Sequence, residues 1–243
     1  MKWTLDTLLS GFPGTSNKTS LGMSSVTLAS CNDVHVILDT AGFGARKIII
    51  EELNHRGFKP EDISYVFISH LHFDHVANFD LFPNAEFVFS EVDWDYANSA
   101  DDIYVQKIII KELANYKLRK VEDGCEILPG VKGIITPGHT PGCMTYLFDT
   151  DDGVIAFAGD AIKNRVELSL GEVGMTYDSE LSYKTIMRVR EMADYVIPGH
   201  DCTMSTKDGK VVPLEKNALV VTFQKHLCAN GGLGVVAIEL DEL

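Results

Sequence analysis

The sequence predicts a layered α/β fold in which helices cover the outer faces of β-sheets. Three observations carry that expectation. β-rich runs recur along the whole chain, helix-patterned stretches lie between them in both halves, and nearly every run stops at a short polar loop. The 243 residues suffice for one large core, and no internal repeat or polar linker divides them, so a single domain over 1–243 is expected.

The elements follow in order. "SSVTLAS" alternates apolar and polar residues, "DVHVILDT" is a similar β-rich run, and the polar "CND" between them supplies the turn of a hairpin. "ARKIIIEELNHRG" is built of helix formers and closed by Gly57, while "KPEDISYVFISH" leads into a strand. "AEFVFS" reads as a strand, "EVDWDYAN" as a helical turn and "QKIIIKELANYKLRKV" as helical or mixed. "GCEILPGVKGIITPGHT" gives strand, turn and strand, and "CMTYLFDT" and "GVIAFAGD" form a hairpin around "DTDDG". In "SELSYKTIMRVREMA" the residues Leu181, Ile186, Val189 and Met192 fall near helical spacing, which predicts a helix buried on that stripe. "DYVIPGHD" is a strand running into a loop, and "GVVAIEL" is a last strand.

Composition narrows the function. A net charge of −14 would repel a polyanion, which argues against a nucleic-acid partner. No apolar run is long enough to span a bilayer, and "MKWTLDTLLSGFPGTSN" is interrupted by Asp6, so neither a membrane segment nor a secretory signal is expected and the reading is cytoplasmic. The cysteines, Cys31, Cys125, Cys143, Cys202 and Cys228, are odd in number and include no CxxC pair, so they predict buried thiols rather than disulfides or a thiolate metal site. Cys143 and Cys202 lie close in sequence to histidines of interest and are expected at most to line the site.

"SHLHFDHV" places His70, His72, Asp74 and His75 within six positions. Residues two apart cannot share a helical face, so a loop must carry His70 and His72, unlike a helical HExxH site. Four other strand ends lead into the same residue types: Asp39 after "IL", His139 in "TPGHTPG", Asp160 in "AGDA" and His200 in "PGHD". Imidazole and carboxylate donors without thiolate suit zinc, iron or manganese, and a donor set that leaves positions for water suits catalysis. Asp160, alone at its strand end, could bridge two cations, whereas Asp39 could equally cap the next helix. Gly138 and Gly142 are expected to serve loop geometry. Lys163 and Asn164, just after Asp160, are candidates for meeting a substrate oxyanion or carboxylate, or else belong to a solvated loop. Tyr177 and Tyr183 are expected to pack, and His35, His55 and His226 to be ordinary structural histidines.

The joint pattern over about residues 20–202 resembles the five motifs of the metallo-β-lactamase superfamily, beginning with "ILDTAG". The resemblance implies an αββα sandwich with the site at one edge of the two sheets. It implies that His70, His72 and His139 hold one metal and Asp74, His75 and His200 a second, with Asp160 bridging and Asp39 orienting ligands from behind. Two Zn2+ per chain are the implied cofactors, with Fe or Mn as the other metals such donors take. A metal-bridging hydroxide would be the nucleophile, with Asp74 orienting it and passing a proton to the leaving group.

The resemblance leaves the substrate open. A dedicated β-lactamase usually lacks the equivalent of His75, and acyl-homoserine lactonases usually carry a tyrosine where Lys163 stands. Hydroxyacylglutathione hydrolases add a helical domain longer than the segment after His200. The leading expectation is hydrolysis of an ester, lactone or thioester of a small molecule. The alternatives are an iron-dependent dioxygenase acting on a persulfide and a phosphodiesterase or nuclease. Loops 11–20, 92–122 and 163–178 are expected to cover the site. Trp94, Tyr96, Tyr104 and Ile108 make the middle one a lid or the contact of a homodimer.

Overall fold

The computed structural model describes residues 1–224 and 234–240, so His226 and Cys228 lie outside the described residues. One sheet contains β1 (Thr4–Leu9), β2 (Val26–Cys31), β3 (Val34–Leu38), β4 (Tyr65–Phe67), β5 (Glu86–Ser90) and β6 (Lys117–Val121) in that spatial order. The other contains β7 (Glu126–Leu128), β8 (Val131–Ile135), β9 (Met144–Thr150), β10 (Gly153–Gly159), β11 (Tyr195–Pro198), β12 (Met204–Ser205) and β13 (Val212–Pro213), ordered β13-β12-β11-β10-β9-β8-β7. Strands β14 (Ala218–Thr222) and β15 (Val235–Glu239) pair as a separate ribbon.

Residue alternation explains why the central strands read as continuous apolar runs. In β5, Phe87 and Phe89 face the outer helices while Val88 faces the opposite sheet; in β10, Ala156 and Ala158 face outward and Phe157 inward. The layer between the sheets is filled by Leu38, Phe67, Val88, Tyr146, Phe148, Phe157 and Ile197. Buried Tyr146 keeps its hydroxyl satisfied by donating to the carbonyls of Ile68 and Val88 across that layer, at 2.7 and 2.9 Å. Helices α1 (Arg46–His55), α3 (Glu91–Ser99) and α4 (Lys107–Leu113) cover the first sheet through Ile49, Leu53, Ala97, Ile109, Ile110 and Leu113. Helices α5 (Arg165–Leu170) and α6 (Ser179–Met192) cover the second through Leu168, Ile186 and Val189. This is the expected αββα sandwich. A short helix, α2 (Phe73–Val76), follows the loop that carries His70 and His72 and contains Asp74 and His75.

Strand direction places the candidate residues together. Strands β3, β4 and β5 are mutually parallel; β10 is parallel to β11 and, through two antiparallel steps across β9, to β8. Asp39, His70, His139, Asp160 and His200 all lie just past the C-terminal ends of these strands.

Some local expectations are corrected. Helix α6 buries Ser182, Thr185, Ile186 and Val189, and Leu181 is exposed, because Ser182 sits where a Cβ on Gly138 would otherwise be. Tyr177 and Tyr183 are largely exposed rather than packed. The 92–122 segment is mostly regular structure, taken up by α3, α4 and β6, and Trp94 stacks on Phe89 at 5.3 Å rather than standing over the site. Among the described residues Cys31, Cys125, Cys143 and Cys202 are free, and no helix is long and apolar enough to cross a membrane.

Candidate metal centre

The turn after β3 is made by Asp39 and Ala41, both with left-handed backbones (φ 54°). Its shape is enforced from outside: Thr40 N–H donates to the His75 carbonyl at 2.7 Å, and the Asn78 amide donates to the Thr40 and Gly42 carbonyls at 2.8 and 2.9 Å. Asp39 is fully buried and accepts from the backbone and hydroxyl of Ser69 and from His75 Nδ1, each at 2.7 Å. Burial raises its carboxyl above the ordinary value even though the His75 and Ser69 contacts lower it. Asp39 therefore sits behind His75 as a buried partner.

Three groups of donor atoms converge, each within 4.8 Å: His70, His72 and His139; His70, His75 and Asp160; Asp74, His75 and His200. Asp160 faces both ends, with Oδ1 at 3.3 Å from His75 Nε2 and 3.2 Å from His200 Nε2, and Oδ2 at 3.3 Å from His139 Nε2. Asp74 Oδ2 is 3.5 Å from His200 Nε2 and 3.8 Å from His75 Nε2. Cys143 and Cys202 contribute no atom to these groups.

The donor set fits cations. His70 Nε2, His75 Nε2 and Asp160 Oδ1 are buried with no hydrogen-bond partner, a cost that a cation would remove. His139 Nδ1 donates to the Met175 carbonyl at 3.0 Å, so its Nε2 carries a lone pair, and that lone pair meets His72 Nδ1 at 3.0 Å. His200 Nδ1 likewise donates to the Met23 carbonyl at 2.9 Å, turning Nε2 inward. Burial, reinforced by the other imidazoles, pushes His70 well below its ordinary value, and burial pushes His139 down to about 3, so both are neutral donors. Burial alone would raise the Asp160 carboxyl, but His200, His75 and His139 hold it well below the usual range. Burial would also lower His75, yet Asp160, Asp74 and Asp39 outweigh it and raise the imidazole; a cation bound there would displace that proton.

Three residues that tie the loops together carry no local sequence signal. Asp93, buried in the first turn of α3, accepts from Leu71 N–H at 2.8 Å and from the Thr140 hydroxyl at 2.6 Å, joining the two loops that bear His70, His72 and His139. Met175 holds a left-handed backbone (φ 48°) in the loop whose carbonyl meets His139. Asp102 meets His72 Nε2 at 3.1 Å. The backbone at Gly142 packs so closely on Asp93 that an added Cβ would overlap its nitrogen. Gly142→Ala is expected to cost about 1–3 kcal/mol in denaturant unfolding by overpacking; an unchanged midpoint would contradict this packing.

Lys163 and Asn164, which follow Asp160 in the chain, have different roles. The Asn164 side-chain oxygen caps α5 by accepting from Val166 and Glu167 N–H, which leaves only its amide nitrogen for a ligand. Glu167 grips Lys163 twice, at Nζ (2.8 Å) and at the backbone N–H (2.7 Å).

Residues 19–200 match the family model of the metallo-beta-lactamase superfamily. The chain belongs to that superfamily. Superfamily membership implies a divalent metal, typically zinc, and the three donor groups could hold one. Among curated relatives, an N-acyl homoserine lactonase of Bacillus cereus is 34% identical over 172 residues, covering 68% of this chain and 66% of that protein. One from Bacillus sp is 34% identical over 160 residues, covering 63% and 62%. The chain thus matches just under two thirds of the length of these lactonases. A Thermotoga maritima structure solved as a candidate metallo-beta-lactamase shares the fold, with a TM-score of 0.71, 24% identity and coverage of 84% of this chain and 100% of that one.

Proposed function

We propose that this superfamily member is a dinuclear metal-dependent hydrolase that opens a lactone, or cleaves a related ester or thioester, in a small molecule. The observation that carries the reading is the convergence of five histidines with Asp74 and Asp160 around buried donor atoms that no protein group satisfies. The 34% identity to N-acyl homoserine lactonases favours the lactone among the three acyl substrates. His70, His72 and His139 would hold one cation, Asp74, His75 and His200 the other, and Asp160 would offer one oxygen to each.

Two bound zinc ions would supply Lewis acidity and make water a nucleophile near neutral pH. The chain's own groups do the rest. Asp74, whose side chain is the most open to solvent of the carboxylates at the centre, is placed to accept a proton from water and return it to the leaving oxygen. The Lys163 ammonium, paired with Glu167, would meet the substrate's carbonyl oxygen as negative charge develops there.

Assayed against N-acyl homoserine lactones, simple aryl esters, thioesters and a glutathione persulfide, the chain is expected to open the lactone fastest. Chelation should abolish that activity and zinc should restore it. Activity confined to aryl esters or thioesters would remove the lactone preference, and oxygen uptake on the persulfide with one iron per chain would replace hydrolysis altogether.

A further inference from the structure

Four of the five histidines at the centre turn Nε2 inward; His72 turns Nδ1 inward. The cause lies on the far side of its ring, where Nε2 faces Asp102 Oδ2 at 3.1 Å. A carboxylate only accepts hydrogen bonds, so Nε2 must carry a hydrogen, and in the neutral imidazole that a metal requires Nδ1 then holds the lone pair. Asp102 is itself held by two donors: Tyr104 N–H at 2.8 Å on Oδ1 and the Tyr96 hydroxyl at 2.8 Å on Oδ2. A turn-forming role explains the Oδ1 bond, which runs to a backbone N–H two residues on. It does not explain why Oδ2 points back to His72 with Tyr96 bracing it.

We propose that Asp102 is the positioning residue of the first metal site, fixing His72 as the Nε2–H tautomer so that its Nδ1 lone pair stands beside His139 Nε2, facing the cation. The proposal rests on the reading of the centre as a pair of metal sites. It gives the two sites parallel construction. His75 in the second is backed by Asp39, His72 in the first by Asp102, and the imidazoles of His139 and His200 are backed only by neutral carbonyls. A carboxylate behind a ligating imidazole fixes its orientation and raises its basicity, and its loss typically costs 10–100-fold in metal affinity. Asp39 stands next to a motif in the sequence, whereas Asp102 comes from the loop between α3 and α4, thirty residues from His72.

The test is zinc titration of the metal-free full chain against a chromophoric chelator, for the parent, Asp102→Asn and Asp39→Asn. In Asp102→Asn the amide presents a donor to Nε2, favouring the tautomer that cannot ligate through Nδ1. One of the two binding steps is expected to weaken about 10–100-fold with the other unchanged, and Asp39→Asn should weaken the other step. Thermal unfolding of the metal-free proteins should be nearly equal for parent and Asp102→Asn, separating metal affinity from folding. Side-chain nitrogen-proton correlation spectra of the zinc-loaded parent, which need no variant, should show His72 protonated at Nε2. Parental affinity for both ions in Asp102→Asn, equal weakening of both steps, or a proton on His72 Nδ1 would overturn the proposal while leaving the paired sites standing. A parent chain that takes up no zinc would overturn both.

Discussion

Asp74→Asn is expected to lower kcat for lactone opening by about 10²–10⁴-fold, the usual contribution of a positioned general acid-base. The expectation follows from where the carboxylate stands. It is the first-turn residue of a four-residue helix, and its backbone is fixed by the Ser24 hydroxyl, which donates to the Asp74 carbonyl at 2.5 Å. Its Oδ2 lies near His200 Nε2 and His75 Nε2, but its side chain is 22% exposed, against 5% for Asp160. Asp160 is enclosed among imidazoles, while Asp74 reaches the second donor group and remains partly open to solvent. The substitution keeps shape and removes the charge, so a change in kcat with little change in KM would mark loss of proton transfer. Zinc content measured alongside separates that loss from loss of an ion. Unchanged turnover in a zinc-replete Asp74→Asn protein would refute the assigned role.

The parts of this centre that are legible in the sequence share a property: each ligand-type residue lies in the short segment that follows a β-run, so its position depends on local pattern plus the edge at which the strands end. Strands mixed with helices predict sheets covered by helices on their outer faces, and the family resemblance adds the αββα order of the layers. What escaped depends on contacts between distant segments. Asp93 acts on Leu71 and Thr140, 22 and 47 positions away, and looks in the sequence like an ordinary first-turn acid of a helix. The stripe on α6 holds at buried Ile186 and Val189 and fails at Leu181 for a related reason. The helix lies too close to Gly138 for a large side chain at position 182, and Thr185 donates to the Pro137 carbonyl at 2.8 Å, so small polar residues occupy part of the buried face while hydrophobicity points to exposed Leu181. Lys163 is a candidate in the sequence because it follows Asp160, but the buried Glu167 that holds it becomes recognisable only where α5 brings position 167 back over position 163.

Asp201→Ala is expected to destabilise the fold by about 3–5 kcal/mol, the usual cost of removing one member of a buried ion pair. Asp201 follows His200 directly and is fully buried. Its Oδ2 accepts from Arg165 Nε and its Oδ1 from Arg165 Nη2, both at 2.8 Å, and Oδ1 also accepts from the Asn217 amide at 3.0 Å. Asn217 in turn donates to the Gly11 carbonyl at 2.7 Å, so the network links α5, the N-terminal loop and the segment leading to β14 to the loop that carries His200. Removing Asp201 takes from buried Arg165 the carboxylate that balances its charge, although its Nη1 still donates to the Leu240 carbonyl at 3.3 Å, whereas replacing both by Arg165→Met and Asp201→Leu should cost less than the single change. Near-equal losses in single and double variants would show that the charge pair is not what the fold depends on. The pH dependence has a definite sign. Burial alone would raise the Asp201 carboxyl, but Arg165 and Asn217 hold it below the ordinary value, so its folded pKa is depressed relative to the unfolded chain. Its contribution is therefore fully present above the unfolded value of about 3.9 and is lost as pH falls through the folded one. Stability of the metal-free chain, measured by denaturant unfolding from pH 7 downward, should fall below about pH 4 more steeply in the parent than in the Arg165→Met, Asp201→Leu pair. Parallel curves would place the acid-sensitive charge elsewhere.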